Sequence, residues 1–127
     1  MSKKIIKTEH APAAIGPYSQ AVATEQFVFT SGQLPIDPAT GKIPEGSIED
    51  KAHIVFKNLE AIAREAGSSL SNTVKTTVYL SDINDFVAVN KVYAQYFEEP
   101  FPARSAFQVA ALPLASQIEV EAVFQLK

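Results

Sequence analysis

The chain has 127 residues, 46% of them hydrophobic and 20% charged, the balance of an ordinary globular domain rather than a disordered or membrane-embedded one. A net charge of -3 and a pI near 5.3 argue against a nucleic-acid binder, which needs a basic face to displace counterions. The absence of cysteine excludes disulfides, thiolate catalysis and cysteine-based zinc or iron–sulfur centres.

A chain of this size is expected to form one domain spanning residues 1–127, with no internal repeat or linker. No apolar run approaches the roughly 18 residues of a spanning helix, so no membrane association is expected. Met1 to Glu9 carries Lys3, Lys4 and Lys7 but no apolar stretch, which does not read as a signal peptide. The three lysines read as a solvated leading segment, and the expected compartment is the cytoplasm.

Residues around 3–8 are expected to form a weak strand pairing with 27–31. Residues 11–20, Ala-Pro-Ala-Ala-Ile-Gly-Pro-Tyr-Ser-Gln, are punctuated by proline and glycine and predict an ordered loop. Phe27-Val28-Phe29-Thr30-Ser31 is aromatic and β-branched, and predicts a strand ending at Gly32. Pro35 to Gly46 has turn chemistry. Ser47-Ile48-Glu49-Asp50 resembles a capping box with Asp in the Glu position. Beyond it, Ile48, Ala52, Val55, Phe56, Leu59, Ile62, Ala63 and Ala66 recur at helical spacing up to a stop at Gly67.

Val74, Thr76, Val78 and Leu80 alternate with Lys75, Thr77 and Tyr79, the period of a half-buried strand. A second helix is predicted from about Asp85 to Phe97, with Phe86, Val89, Val92, Tyr93 and Tyr96 on one side. Pro100 and Pro102 prevent its continuation. Residues 103–111 predict a strand broken by Leu112-Pro113. Gln117 to Gln125 predicts another, with Ile118, Val120, Ala122 and Phe124 facing one way and Gln117, Glu119 and Glu121 the other. The expected order is β-β-α-β-α-β-β, an α+β class with helices on one face of a sheet. A single open sheet this small often buries its other face by oligomerising.

His10 and His53 are the only histidines. Neither has a carboxylate at ligand spacing, so no metal is expected, and His53 reads as a boundary residue of the first helix. Gly32 and Gly41 stand in no phosphate-binding pattern. Chemistry must then come from carboxylates, hydroxyls, arginine and backbone groups. On the strand after Pro102, Arg104, Ala106, Gln108 and Ala110 share a face. An arginine beside the small Ala106 stands over a hollow, where a guanidinium can grip a carboxylate bidentately. The other reading is a structural arginine paired with Glu119 or Glu121. Those two glutamates point to the same side of their strand. Either they form a solvated sheet face, or one is desolvated in a cleft and serves as a general base.

Four ordered segments resemble the RidA/YjgF family of enamine/imine deaminases, known in older usage as translation inhibitors or endoribonuclease-like proteins. They are Ala11-Pro-Ala-Ala-Ile-Gly-Pro-Tyr-Ser-Gln20, Thr30-Ser31-Gly32-Gln33, Asp85-Phe86-Val87-Ala88-Val89-Asn90, and Pro102-Ala103-Arg104-Ser105 followed by Ile118-Glu119-Val120-Glu121. The resemblance covers essentially the whole chain. It implies a chorismate-mutase-like α+β fold: a mixed sheet with two helices on one face, assembled as a homotrimer with sites between subunits. It also implies cofactor-free hydrolysis of reactive 2-enamino or 2-imino acids, such as 2-iminobutanoate and 2-iminopropanoate, to 2-keto acids and ammonia.

By the resemblance, Arg104 is the carboxylate-binding residue and Glu119 the acid that positions or activates water. Tyr18, Ser31 and Asn90 line the cleft, and Phe86 forms its apolar wall. Gly32 is a point where backbone could come close to ligand. Tyr18 is a candidate for protonating C3 of an enamine. The chain departs from the family pattern at Ala106, where many members carry Cys, and at Glu98-Glu99-Pro100, a shorter connection than in several relatives. The alternative is a regulatory protein that binds a 2-keto acid without turnover. An RNA-cleaving activity fits poorly with an acidic pI and no aromatic-basic groove.

Overall fold

Helix α1 runs Ile48–Glu65 in the computed structural model, which describes residues 2–126; Met1 and Lys127, the ends of the expected domain, lie outside the described residues. The predicted capping box forms: Ser47 Oγ accepts from the Asp50 N–H at 3.1 Å, and Asp50 Oδ2 accepts from the Ser47 N–H at 3.3 Å. Gly67 ends the helix at φ +82°, a left-handed turn that costs glycine nothing. The buried stripe of α1 includes Ala52, Val55, Phe56, Leu59, Ile62 and Ala63, and burying each large side chain contributes about 1.5–3 kcal/mol. Asn58 lies in that stripe and donates to the Leu34 and Ile36 carbonyls at 3.3 and 3.0 Å. It ties the turn-rich segment after Gly32 onto the helix.

Six strands form one sheet: β1 (Lys4–Ile6), β2 (Ala21–Ala23), β3 (Phe27–Thr30), β4 (Thr73–Leu80), β5 (Ala103–Gln108) and β6 (Ile118–Gln125). Their spatial order is β1-β2-β3-β6-β4-β5. The β4–β5 pair is parallel and the other pairs are antiparallel. Helix α2 (Phe86–Tyr96) connects the parallel pair, as a parallel connection requires.

This mixed sheet with two helices is the expected class, but one strand was not expected. Ala21-Val22-Ala23 inserts between the first strand and residues 27–30, pairing Ile6 with Ala21 on one side and Ala21 with Thr30 on the other. Residues 3–8 therefore pair with β2 rather than with 27–31. Three residues, two of them alanine, carry no usable periodicity, and tertiary pairing overrides a weak β propensity here. The expected strand over 103–111 stops at Gln108. The alternation in β4 holds only from Thr76 onward. A register shift between Thr73 and Lys75 turns Thr73 inward and leaves Val74 37% exposed, as a bulge does.

The two faces of the sheet differ in kind. Thr76, Val78, Leu80, Ile118, Val120, Ala122 and Phe124 are buried among the side chains of α1 and α2. The intervening residues Tyr79, Glu119 and Glu121 point to the opposite face by the period of two. On that face Phe29 and Phe107 are 46% and 44% exposed, and Tyr79 packs edge-to-face on Phe107 at 5.4 Å. Among the described residues no helix crosses a membrane in length and apolarity.

Candidate active site

Arg104 is placed by register. Thr76 of β4 pairs with Arg104 on one side and with Ala122 on the other, so Arg104 shares the helix-covered face. Because β5 is an edge strand, its side chain emerges beside α2 instead of entering the core. There its Nη1 donates to Asn90 Oδ1 at 2.7 Å. Its guanidinium carbon lies 5.2 Å from the Phe86 ring centre and 4.7 Å from that of Tyr93, within cation–π range. Phe86, Asn90 and Tyr93 stand at i, i+4 and i+7 of α2, one stripe of the helix.

Tyr93 is itself held. Its hydroxyl is 2.8 Å from Thr76 Oγ1 in the interior, and its ring packs on Phe97 and Phe56 at 4.4 and 5.6 Å between centres. Burial pushes its phenol above the ordinary tyrosine range, with the Thr76 hydrogen bond and the Arg104 charge opposing. Sequence reasoning put Tyr93 on the apolar side of the second helix and assigned Thr76 to a strand. It gave neither a place in the site. The signal available was the helical spacing of Tyr93 from Phe86 and Asn90.

The expected hollow beside Ala106 is present: Ile83, Asn84, Phe86, Val87, Arg104 and Ala106 line a cavity of about 480 Å3. A second cavity, about 380 Å3, lies along Asn90, Tyr93, Ala94, Phe101, Pro102 and Arg104. A guanidinium has five donors in a planar fork. Among the described residues, one hydrogen bond of the exposed Arg104 side chain, that to Asn90, is formed. The remaining edge can receive a carboxylate bidentately.

The ion-pair reading of Arg104 is corrected by the faces of the sheet. Arg104 lies in the row of Thr76 and Ala122, whereas Glu119 and Glu121 lie on the other side. Among the described residues the ion pair that forms is Arg64 with Glu60, at 3.4 Å.

Glu119 belongs to a second group. A Cβ added at Gly32 would sit 2.7 Å from Glu119 Cδ and 3.0 Å from its Cγ, and closer still to Oε2. The space a side chain would fill at position 32 is thus taken by the Glu119 carboxylate. The neighbouring backbone is pinned to the strand of Glu119, since Gln33 and Val120 exchange hydrogen bonds at 2.8 and 3.1 Å. Ser31 donates through Oγ to the Ser19 carbonyl at 2.6 Å and through its N–H to the Gln20 carbonyl at 2.9 Å. Tyr18 precedes them, half exposed, with its hydroxyl accepting from the Ile15 N–H at 3.3 Å.

Gln20 holds this loop in place. Its buried amide accepts from the Thr8 N–H at 2.7 Å and donates to the Thr8, Ala11 and Pro12 carbonyls at 3.0, 3.2 and 2.7 Å. Glu119 is half-buried. Burial first, and the charge of Glu121 second, raise its carboxyl above the ordinary range, the direction that suits a base working near neutrality.

The residues singled out from sequence therefore fall into two groups. Arg104, Asn90 and Phe86 meet on the helix side of the β5 edge; Glu119 points to the open face from β6, two strands away, with Gly32 against it and Ser31 and Tyr18 in the adjoining segments. Within one chain they do not converge. His53 is half-buried with Nδ1 2.8 Å from the Tyr96 hydroxyl, and among the described residues no group of three metal-ligating side chains forms.

A family model described as Endoribonuclease L-PSP matches residues 8–125. A RutC family protein of Sinorhizobium fredii is 51% identical over 121 residues, covering 95% of this chain and 96% of that protein. The Homo sapiens protein named 2-iminobutanoate/2-iminopropanoate deaminase is 50% identical over 121 residues, covering 95% of this chain and 88% of its own length. Among solved structures, E. coli TdcF with bound serine superposes with a TM-score of 0.92 at 45% identity, covering 98% of this chain and 99% of that one.

Proposed function

The chain belongs to the RidA/YjgF family, and from that premise we propose that it is a 2-iminobutanoate/2-iminopropanoate deaminase. It hydrolyses reactive 2-imino and 2-enamino acids to 2-keto acids and ammonia without a cofactor. The observation that carries this reading is the 50% identity, along 95% of the chain, with the human protein of that name.

The chemistry follows from the placement of these residues. Arg104, turned by Asn90 and walled by Phe86, takes the substrate carboxylate on its free edge and places C2 of the imine. A water held by Glu119 adds its oxygen to C2 while Glu119 takes one of its protons. That proton passes to the nitrogen to give the carbinolamine; its hydroxyl then gives up its own proton, relayed by Glu119 to the amino group, and as the C–N bond breaks ammonia leaves and C2 becomes the carbonyl carbon. An enamine must first gain a proton at C3, a step assigned to Tyr18, with Ser31 and Gly32 lining the cleft. An imine is already electrophilic, so positioning and electrostatics are enough.

Arg104 and Glu119 serve one substrate only if they come from different subunits, because one chain turns them to opposite faces of its sheet. We therefore place the cleft between subunits of a homotrimer. Exposed Phe29 and Phe107 on the uncovered sheet face support this assembly, since such a face is commonly closed by another copy. The partner in solution is a small imino acid rather than a nucleic acid, in keeping with the net charge of -3. A chain without cysteine suits the reducing cytoplasm. Binding of a 2-keto acid without turnover is the rival reading; a desolvated Glu119 favours turnover.

The test is a coupled assay in which a dehydratase releases 2-iminobutanoate or 2-iminopropanoate and the decay of the imine is followed with and without this protein. Faster decay in proportion to protein concentration is expected. Saturable 2-ketobutyrate binding with unaccelerated decay would replace the enzyme with the sensor.

A further inference from the structure

We propose that Tyr93, anchored by Thr76, is a positioning residue that aims the Arg104 guanidinium; the proposal rests on the reading of Arg104 as the carboxylate clamp. An arginine on an exposed edge strand has several rotamers, and ordering it for each binding event costs free energy. Here three groups of α2 restrict it before any ligand arrives. Asn90 takes one Nη1 proton at 2.7 Å, while the rings of Phe86 and Tyr93 face the guanidinium carbon at 5.2 and 4.7 Å.

The two rings are not equivalent. Phe86 is half-buried at the start of α2. Tyr93 is 6% exposed, and its ring is wedged between Phe56 and Phe97. Its hydroxyl is bonded to Thr76, which is fully buried and stands directly across from Arg104 in the sheet. One strand residue thus sets the ring, and the ring sets the guanidinium of the neighbouring strand. Tyr93 borders the cavity of about 380 Å3 beside Arg104 but offers a substrate no free polar group, because its hydroxyl is already bonded. It acts through Arg104.

The chain has only two arginines, Arg64 and Arg104, so the guanidinium Nε–H region of an NMR spectrum should contain two assignable signals. Arg64, largely exposed and paired among the described residues with Glu60, is the reference for a guanidinium without such packing. In the wild type the Arg104 signal should show a high order parameter, lowered toward that of Arg64 in Tyr93→Leu and to an intermediate value in Tyr93→Phe, which keeps the ring but loses the Thr76 hydrogen bond. The dissociation constant for 2-ketobutyrate should rise about tenfold in Tyr93→Leu, the range expected for a partly desolvated cation–π contact, and by a smaller factor in Tyr93→Phe. KM for 2-iminobutanoate should rise with it while kcat changes little.

Should Tyr93→Leu fail to fold, 3,5-difluorophenylalanine at position 93, compared with Tyr93→Phe, keeps the shape and drains the ring face. Arg104 order and ligand affinity should then both fall. An Arg104 as ordered in the ring-less or fluorinated protein as in the wild type overturns the proposal. A wild type that neither binds 2-ketobutyrate nor hydrolyses imines overturns the carboxylate reading instead, and the NMR comparison still decides whether Tyr93 holds Arg104.

Discussion

Substituting Gly32 with alanine perturbs Glu119, the proposed reacting carboxylate, without touching Arg104, the proposed anion clamp. No left-handed backbone is involved at this glycine, so the effect is one of space. The added Cβ would lie 2.7 Å from Glu119 Cδ and 3.0 Å from Cγ, against an optimum near 3.5–4.0 Å for carbon pairs. Gly32 cannot retreat easily, because the next residue is hydrogen-bonded in both directions to Val120. Glu119 is half-buried on the open face and can swing away, so the strain is relieved by moving the carboxylate by roughly 1 Å.

Misplacement on that scale costs on the order of 100-fold in rate, about 2.7 kcal/mol of transition-state stabilisation. Gly32→Ala should therefore lose about two orders of magnitude in kcat in the dehydratase-coupled assay. KM and 2-ketobutyrate affinity should stay near wild type, and the melting temperature should barely change. Full kcat in a folded Gly32→Ala protein would refute the reasoning that Gly32 exists to admit Glu119. A large rise in KM at unchanged kcat would instead make Gly32 a contact of the substrate.

Further outcomes concern the base, the shared cleft and the loop. The proposed base Glu119 can work only when ionised, and its carboxyl lies above the usual range through burial and then Glu121, so the acid limb of kcat/KM should fall above the ordinary glutamate value of about 4.3. Glu121→Gln removes a like charge and should move that limb to lower pH, whereas Glu119→Gln should bind 2-ketobutyrate normally and turn over slowly; an unmoved limb or equal turnover counts against the base. Subunits carrying Arg104→Ala and Glu119→Gln, each strongly impaired alone, should regain roughly one quarter of wild-type sites when co-assembled at random, and no recovery would contradict clefts shared between subunits. Gln20→Leu strips the loop of its buried hydrogen bonds to Thr8, Ala11 and Pro12 and should lower stability by about 2–4 kcal/mol, read as a lower urea midpoint at unchanged slope; an unchanged midpoint would show that the loop is held otherwise.

What could be read from the sequence was what local physics dictates. The helical stripe from Ala52 to Ala63, the Ser47–Asp50 capping box and the alternation of Ile118 to Phe124 are short-range patterns, and all three appear in the structure. The hollow beside Ala106 was legible too, since a small residue next to an arginine on one strand face leaves room whatever the tertiary fold. Pairing was not legible where segments are short. β2 has too few residues for a period, and the bulge that exposes Val74 depends on the partner strand rather than on Val74.

The site divides along the same line. The spacing of Phe86, Asn90 and Tyr93 marks one helix stripe, but only the β4–β5 register brings Arg104 onto it. The opposite facing of Arg104 and Glu119 follows from two separate registers meeting at β4. Neither register is written in the residues of one strand, so an ion pair between them was an open reading until the sheet was assembled.

The most direct test of the account is a comparison of wild type and Arg104→Ala in the 2-iminobutanoate assay, both confirmed folded. Removing one partner of a desolvated charge pair costs about 2–5 kcal/mol. Accelerated imine loss by the wild type and at least a tens-fold lower kcat/KM for Arg104→Ala are predicted. Undiminished hydrolysis by Arg104→Ala would contradict the clamp, and imine decay at the uncatalysed rate with the wild type would contradict the enzyme.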